Sequence, residues 1–256
     1  LFPNGDQVRE QRGFDFYDRL INALIAAGIE PMVTLYHWDL PQALEDKGGW
    51  ANRDIVPAFE HYAQACVEAF GDRVQNWITL NEPWCVSWLG YSNGVHAPGK
   101  KDFNLAIASS HHTALAHAAA TRAIRSFKSD AIVGLTLNMN NIHNESPDNQ
   151  EVIDFIELND CNINRWWIEA FTTGEYPQPL VALYGDRLQS IMMPGDNALL
   201  KVTTDFLGIN YYCDAYVRSP RPEDKPAIER GFMPFPQRVD DSLPQNLASD
   251  LTAMGW

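Results

Sequence analysis

Apolar positions recur through the chain with two alternating periods. Phe14, Tyr17, Leu20, Ile21, Leu24 and Ile25 stand at helical spacing and Gly28 follows, so a helix is predicted over 13–27 with its stop in place. The next run, Pro31-Met32-Val33-Thr34-Leu35-Tyr36, is short and apolar and reads as a buried strand. The pair repeats: a helix over 54–70 and a strand at 77–80, then a long helix over 105–127 and a strand at 132–137. After an Asn-rich loop, 150–171 reads as one further helix, and a Pro- and Gly-rich connector leads to a fourth strand, Phe206-Leu207-Gly208-Ile209-Asn210-Tyr211. Strands alternating with helices predict an α/β protein with a parallel sheet, because each crossover returns the chain to the same end of the sheet. Residues 218–247, dense in Pro, Asp, Glu and Arg, read as a long surface loop bordering the site.

Composition narrows the partners. With 256 residues, 45% of them hydrophobic, the chain is long and apolar enough for one large core. The 19 basic and 33 acidic residues leave a net charge of −14, which repels a phosphate backbone or an anionic lipid surface. Neither nucleic acid nor a membrane is expected as a partner. Cys66, Cys85, Cys161 and Cys213 are widely spaced with no CxxC, which predicts free thiols and a cytoplasmic setting. No apolar run approaches a bilayer span and no secretory profile opens the chain. The start at Leu1-Phe2-Pro3, without an initiator Met, predicts that both ends of a single domain, 1–256, are truncated.

Each strand is followed by a polar or aromatic cluster: His37-Trp38-Asp39, Asn81-Glu82-Pro83-Trp84, the Asn-rich 138–141, and Asn210-Tyr211-Tyr212. Parallel α/β folds place their sites at these strand ends. Glu82 stands at such an end between an amide and a proline, where desolvation favours the neutral, proton-donating form of a carboxyl. By itself a strand-end Glu is as readily an ion-pair partner, Asn81 a turn amide, and His37 and Trp38 a buried imidazole and a core aromatic. His111, His112 and His117 lie on the long helix at spacings that make no metal face, and Trp166 and Trp167 sit at helical core positions.

Two strings in register, Thr79-Leu80-Asn81-Glu82-Pro83 and Val33-Thr34-Leu35-Tyr36-His37-Trp38-Asp39-Leu40-Pro41, resemble glycoside hydrolase family 1. Gly94-Val95-His96-Ala97-Pro98-Gly99, Asn164-Arg165-Trp166-Trp167, Gly174-Glu175-Tyr176-Pro177 and Asp205-Phe206-Leu207-Gly208-Ile209-Asn210-Tyr211-Tyr212 extend the likeness in the same order over nearly the whole chain. The resemblance implies a (β/α)8 barrel of which this chain holds strands three to six. It implies an O-glycosyl hydrolase cleaving terminal β-D-glucosidic bonds with retention, without metal or cofactor, on a β-glucoside or short cello-oligosaccharide.

The residue roles follow from the same likeness. Glu82 is the general acid/base. His37, Trp38, Asn81, Trp84, Asn210 and Tyr212 are substrate-site residues: Asn81 bonds a sugar 2-hydroxyl, Trp84 walls the aglycone side, and Tyr212 bonds the nucleophilic carboxylate with Asn210 beside it. The family's nucleophile string, Thr-Glu-Asn-Gly, occurs nowhere in the sequence, which predicts a fragment inactive alone. A four-strand arc leaves two apolar sheet edges and an inner face uncovered, so further barrel segments, as a second chain or in a homo-oligomer, are expected against it. The reading from another class is a non-catalytic sugar-binding or assembly fragment.

Overall fold

The computed structural model describes residues 1–5 and 8–217; the surface loop expected over 218–247 lies outside them. Four strands, β1 (Met32–Tyr36), β2 (Asn76–Asn81), β3 (Ile132–Asn138) and β5 (Phe206–Asn210), form one sheet in the order β1-β2-β3-β5. Every neighbouring pair is parallel, with Val33 opposite Trp77, Trp77 opposite Val133 and Asn138 opposite Asn210. Short β4 (Ile142–Asn144) and β6 (Ala215–Val217) pair separately. Three residues apiece are too few to leave a periodic signal, so neither strand is predicted from the residue string.

The helices are α1 (Gln11–Ala26), α2 (Gln42–Glu45), α3 (Ile55–Phe70), α4 (Phe103–Phe127), α5 (Gln150–Asp160), α6 (Trp166–Thr173), α7 (Gln178–Tyr184), α8 (Asp186–Gln189) and α9 (Asp196–Leu200). The single helix expected over 150–171 is broken: five residues, Cys161–Arg165, form a π-helical segment between α5 and α6. Within it Asn164 accepts from the backbone N–H of Asn140 at 3.1 Å and donates to the Asn140 carbonyl at 3.0 Å, pinning the loop after β3. A one-turn widening barely changes the apolar spacing, which is why the sequence reads as continuous.

α4 packs across β2, β3 and α3 and is buried along most of its length. Its run of alanines, Ala114, Ala116, Ala118, Ala119 and Ala120, lets neighbouring elements approach closely. Asp102 caps it by accepting from the N–H groups of Asn104 and Leu105. The core around it is aromatic, with Trp50, Trp77, Trp88, Trp166 and Trp167 fully buried. The expectation of core roles for Trp166 and Trp167 holds.

The sheet's outer strands are open, as expected of an arc: Met32 on β1 is 54% exposed and Ile209 on β5 58%. The apolar face read on the first helix is only partly used. Phe14 and Ile21 are buried, whereas Tyr17, Leu20 and Ile25 are exposed, because none of the described elements covers that side of α1.

The three α4 histidines each have structural partners. His111 meets the Tyr176 hydroxyl at 2.7 Å and the Asp196 carboxylate at 3.0 Å; His112 donates to the Trp50 carbonyl at 2.9 Å; His117 meets Thr79 of β2 at 2.7 Å. Asp196 also accepts from both terminal nitrogens of Arg53 and from the Met193 N–H at 2.7 Å. Burial pushes the Asp196 carboxyl up, but these donors hold it down at about 2. Burial pushes His111 down to about 4, with His112 beside it adding to the effect, and His117 to about 3.

A pH dependence follows. In the unfolded chain these imidazoles protonate near 6.5, in the folded chain only near 4 and 3. Between those values the unfolded state binds more protons, so stability present above pH 6.5 is lost as pH falls toward 3. The loss should be on the order of a few kcal/mol, read as a falling urea midpoint between pH 7 and 4. A midpoint constant over that range would contradict it.

Candidate active site

The C-terminal ends of β1, β2, β3 and β5 converge on Glu82. β2 carries a register irregularity between Ile78 and Asn81, immediately before the glutamate. Glu82 has φ 47°, a left-handed conformation rare for a residue with a side chain, and Trp38 has φ 79°. The Glu82 N–H donates to the Thr136 carbonyl of β3 at 2.8 Å, and its carbonyl accepts from Cys85 at 2.9 Å, starting the helical turn that follows. Pro83 fits that first turn, where its missing N–H would have no partner. The strained backbone is thus held on one side by the sheet and on the other by the helix, and it aims the carboxyl across the strand ends.

Glu82 is 3% exposed, and each of its carboxyl oxygens has a partner. Its Oε1 accepts from the Asn210 amide at 2.7 Å and from the Tyr212 hydroxyl at 2.9 Å; its Oε2 accepts from the Cys85 thiol at 3.3 Å. The second hydrogen of the Asn210 amide goes to Asn81 Oδ1 at 3.1 Å. That fixes the Asn81 amide with its nitrogen toward His37 Nε2, 3.4 Å away, so His37 accepts there. Trp38 donates from its ring nitrogen to the Asn81 carbonyl at 2.9 Å. Burial pushes the Tyr212 hydroxyl up to about 12, and the hydrogen bond and charge of Glu82 add to it, so Tyr212 stays a donor throughout the neutral range.

Six of the seven residues expected at the site, His37, Trp38, Asn81, Glu82, Asn210 and Tyr212, therefore form one connected network. Trp84 does not join it. It is 2% exposed, packed in the core at the start of the turn after Glu82, and offers no open face in place of the aglycone wall expected. The partly exposed ring is Trp38, flanked by His37 and His96 with centroids 5.1 Å away on each side. Tyr212 bonds Glu82 here; the nucleophilic carboxylate expected as its partner lies outside this sequence.

Cys85 was absent from the sequence-derived site. Its only signal is its position three residues after Glu82, one helical turn along. The asparagine at the end of β3, Asn138, is buried beside Asn210 in the register. Among the described residues no group of His, Cys, Asp and Glu is arranged to hold a metal ion, and no helix is long and apolar enough to cross a membrane.

Four adjacent parallel strands with a polar cluster at their C-terminal ends define part of a (β/α)8 barrel. The profile of glycosyl hydrolase family 1 matches residues 1–254. Beta-glucosidase A of Acetivibrio thermocellus is 38% identical over 257 residues, an alignment covering 100% of this chain and 54% of that protein. The 6-phospho-beta-glucosidase GmuD of Bacillus subtilis is 37% identical over 244 residues, covering 92% of this chain and 52% of that one. Among solved structures, the psychrophilic beta-glucosidase BglU of Micrococcus antarcticus superposes with a TM-score of 0.86 at 37% identity, covering 100% of this chain and 55% of its own. The chain belongs to glycosyl hydrolase family 1, and it spans about half the length of the curated relatives it matches.

Proposed function

We propose that the protein carrying this chain is a retaining β-glucosidase that cleaves terminal β-D-glucosidic bonds of cellobiose, short cello-oligosaccharides or aryl β-glucosides. Residues 1–256 supply strands three to six of its barrel. Glu82 is the general acid/base, and a carboxylate from outside this sequence is the nucleophile, about 5 Å away as retention requires. The observation that carries the reading is the Glu82 carboxyl itself, buried at a strand end, backbone-strained, and gripped on one oxygen by Asn210 and Tyr212. Asn81 and His37 bind sugar hydroxyls, and Trp38 offers a ring face to the sugar.

Glucose, not a 6-phosphate sugar, is the substrate proposed. Among the described residues the network around Glu82 consists of amides, an imidazole, a hydroxyl and a thiol, a lining that suits the neutral hydroxyls of an uncharged sugar. Free thiols at all four cysteines support a cytoplasmic setting. This chain alone is expected to be inactive as a hydrolase.

The test is the anomeric configuration of the first product. Proton NMR of phenyl β-D-glucoside hydrolysis by the full-length protein should show β-glucose forming first and mutarotating later. Initial α-glucose, or turnover of the 6-phosphoglucoside alone, would overturn the proposal.

A further inference from the structure

The loops that leave β3 and β5 are tied to each other and to the body of the fold. Asn164, in the π-helical segment, holds Asn140 through both of its backbone groups, and α5 packs on β4, so the β4 side is fixed. On the other side β5 ends at Asn210, whose carbonyl accepts from the Met139 N–H at 3.2 Å. β6 begins at Ala215, whose N–H donates to the Asn141 carbonyl at 2.8 Å. Between these two anchors residues 211–214 belong to no regular element, and Tyr212 is among them.

The ladder of β4 and β6 has three residues a side, and a two-stranded ribbon of that size is marginal by itself. Side chains across it must help to hold it. His143 stands opposite Tyr216 in the register, so Asp214 is its diagonal neighbour, within reach of a long side chain. His143 Nε2 meets Asp214 Oδ2 at 2.7 Å, and the Asn141 amide lies 3.0 Å from the same ring nitrogen. The shorter contact places the N–H on Nε2, donated to the carboxylate.

We infer that His143 and Asp214 are positioning residues for the hydrolytic reaction: their contact latches residues 211–214 to the fixed β4 strand and so sets where the Tyr212 hydroxyl stands. The inference rests on the reading of Tyr212 as a site residue, and not on which carboxylate its hydroxyl serves. Both side chains of the latch are partly exposed, and such a pair adds little to global stability. It acts instead on a four-residue segment whose alternatives are local movements, not unfolding, and small local biases decide those. A catalytic hydroxyl displaced by a fraction of an ångström loses much of its effect, so a weak latch has a large kinetic consequence.

The experiment measures kcat and KM on phenyl β-D-glucoside, with the urea midpoint, for the full-length protein and its variants. His143→Ala and Asp214→Ala should each lower kcat and kcat/KM together by about ten- to a hundredfold, with KM and the midpoint close to the parent's. His143→Gln, whose amide N–H reaches the same place, should recover most of that loss. In a Tyr212→Phe background His143→Ala should cost nothing further, because the hydroxyl it positions is gone. His143→Phe, which fills the space without a donor, replaces the alanine variant if that one fails to fold. Parent-like kcat in either alanine variant, a change in KM or midpoint alone, a Gln variant as slow as the Ala variant, or losses that multiply with Tyr212→Phe would each overturn the inference. Tyr212→Phe by itself separates the two levels. If it matches the parent, the site reading of Tyr212 has failed; if it is slow while His143→Ala matches the parent, only the latch has failed.

Discussion

Glu82→Gln should lower turnover of phenyl β-D-glucoside by about a hundred- to ten-thousand-fold while leaving the affinity for a bound sugar nearly unchanged. Glutamine keeps the side-chain oxygen that accepts from Asn210 and Tyr212, so the network and the strained backbone at φ 47° have no reason to rearrange. What is lost is the proton. The loss in kcat/KM, which reports the first step, should shrink steeply with a good leaving group such as 2,4-dinitrophenolate, which departs without protonation. Slow release of the glucosyl group would then limit the rate, because the same residue serves as base in that second step. Steady-state kinetics on the two substrates check this, and equal loss on both would place Glu82 outside the acid role.

Asp196→Ala should have the largest effect on stability, about 3–5 kcal/mol. The aspartate is buried, and its removal leaves the Arg53 guanidinium, the His111 imidazole and the Met193 N–H without their acceptor. The lesion sits where the loop before α3, the middle of α4 and the start of α9 meet, so it loosens three elements at once. Chemical denaturation of the variant and the parent at pH 7 measures the difference. A loss below about 1 kcal/mol would mean that water satisfies the freed groups.

Much of this molecule was legible in its sequence because parallel strands buried on both faces are short apolar runs, and each polar strand end stands out against one. β3 and its helix α4 show it best: Val133, Leu135 and Leu137 are fully buried, and the expected bounds fall within one or two residues of the observed ones. The network around Glu82 was legible for the same reason, since His37, Asn81 and Asn210 each follow or end such a run. What could not be read were features set by tertiary contact. The fate of Trp84 depended on the eight-residue π-helix Cys85–Ser92, whose wide turns carry no distinct periodicity and whose packing takes the indole into the core. Exposure of Tyr17, Leu20 and Ile25 on α1 depends on what lies beside the helix, which spacing alone does not specify. The positive φ of Glu82, three residues before the thiol that meets its Oε2, is a backbone choice that nothing in the residue string announces.

The most direct test of Glu82 as the acid/base uses the full-length Glu82→Ala protein, 2,4-dinitrophenyl β-D-glucoside and added azide. With the base gone and the side-chain charge removed, azide can enter on the face that Glu82 occupied and attack the glucosyl intermediate. Turnover should rise with azide concentration and the product should be β-glucosyl azide. α-Glucosyl azide would mean that the residue removed was the nucleophile, and a rate indifferent to azide with free glucose as the sole product would remove Glu82 from the mechanism.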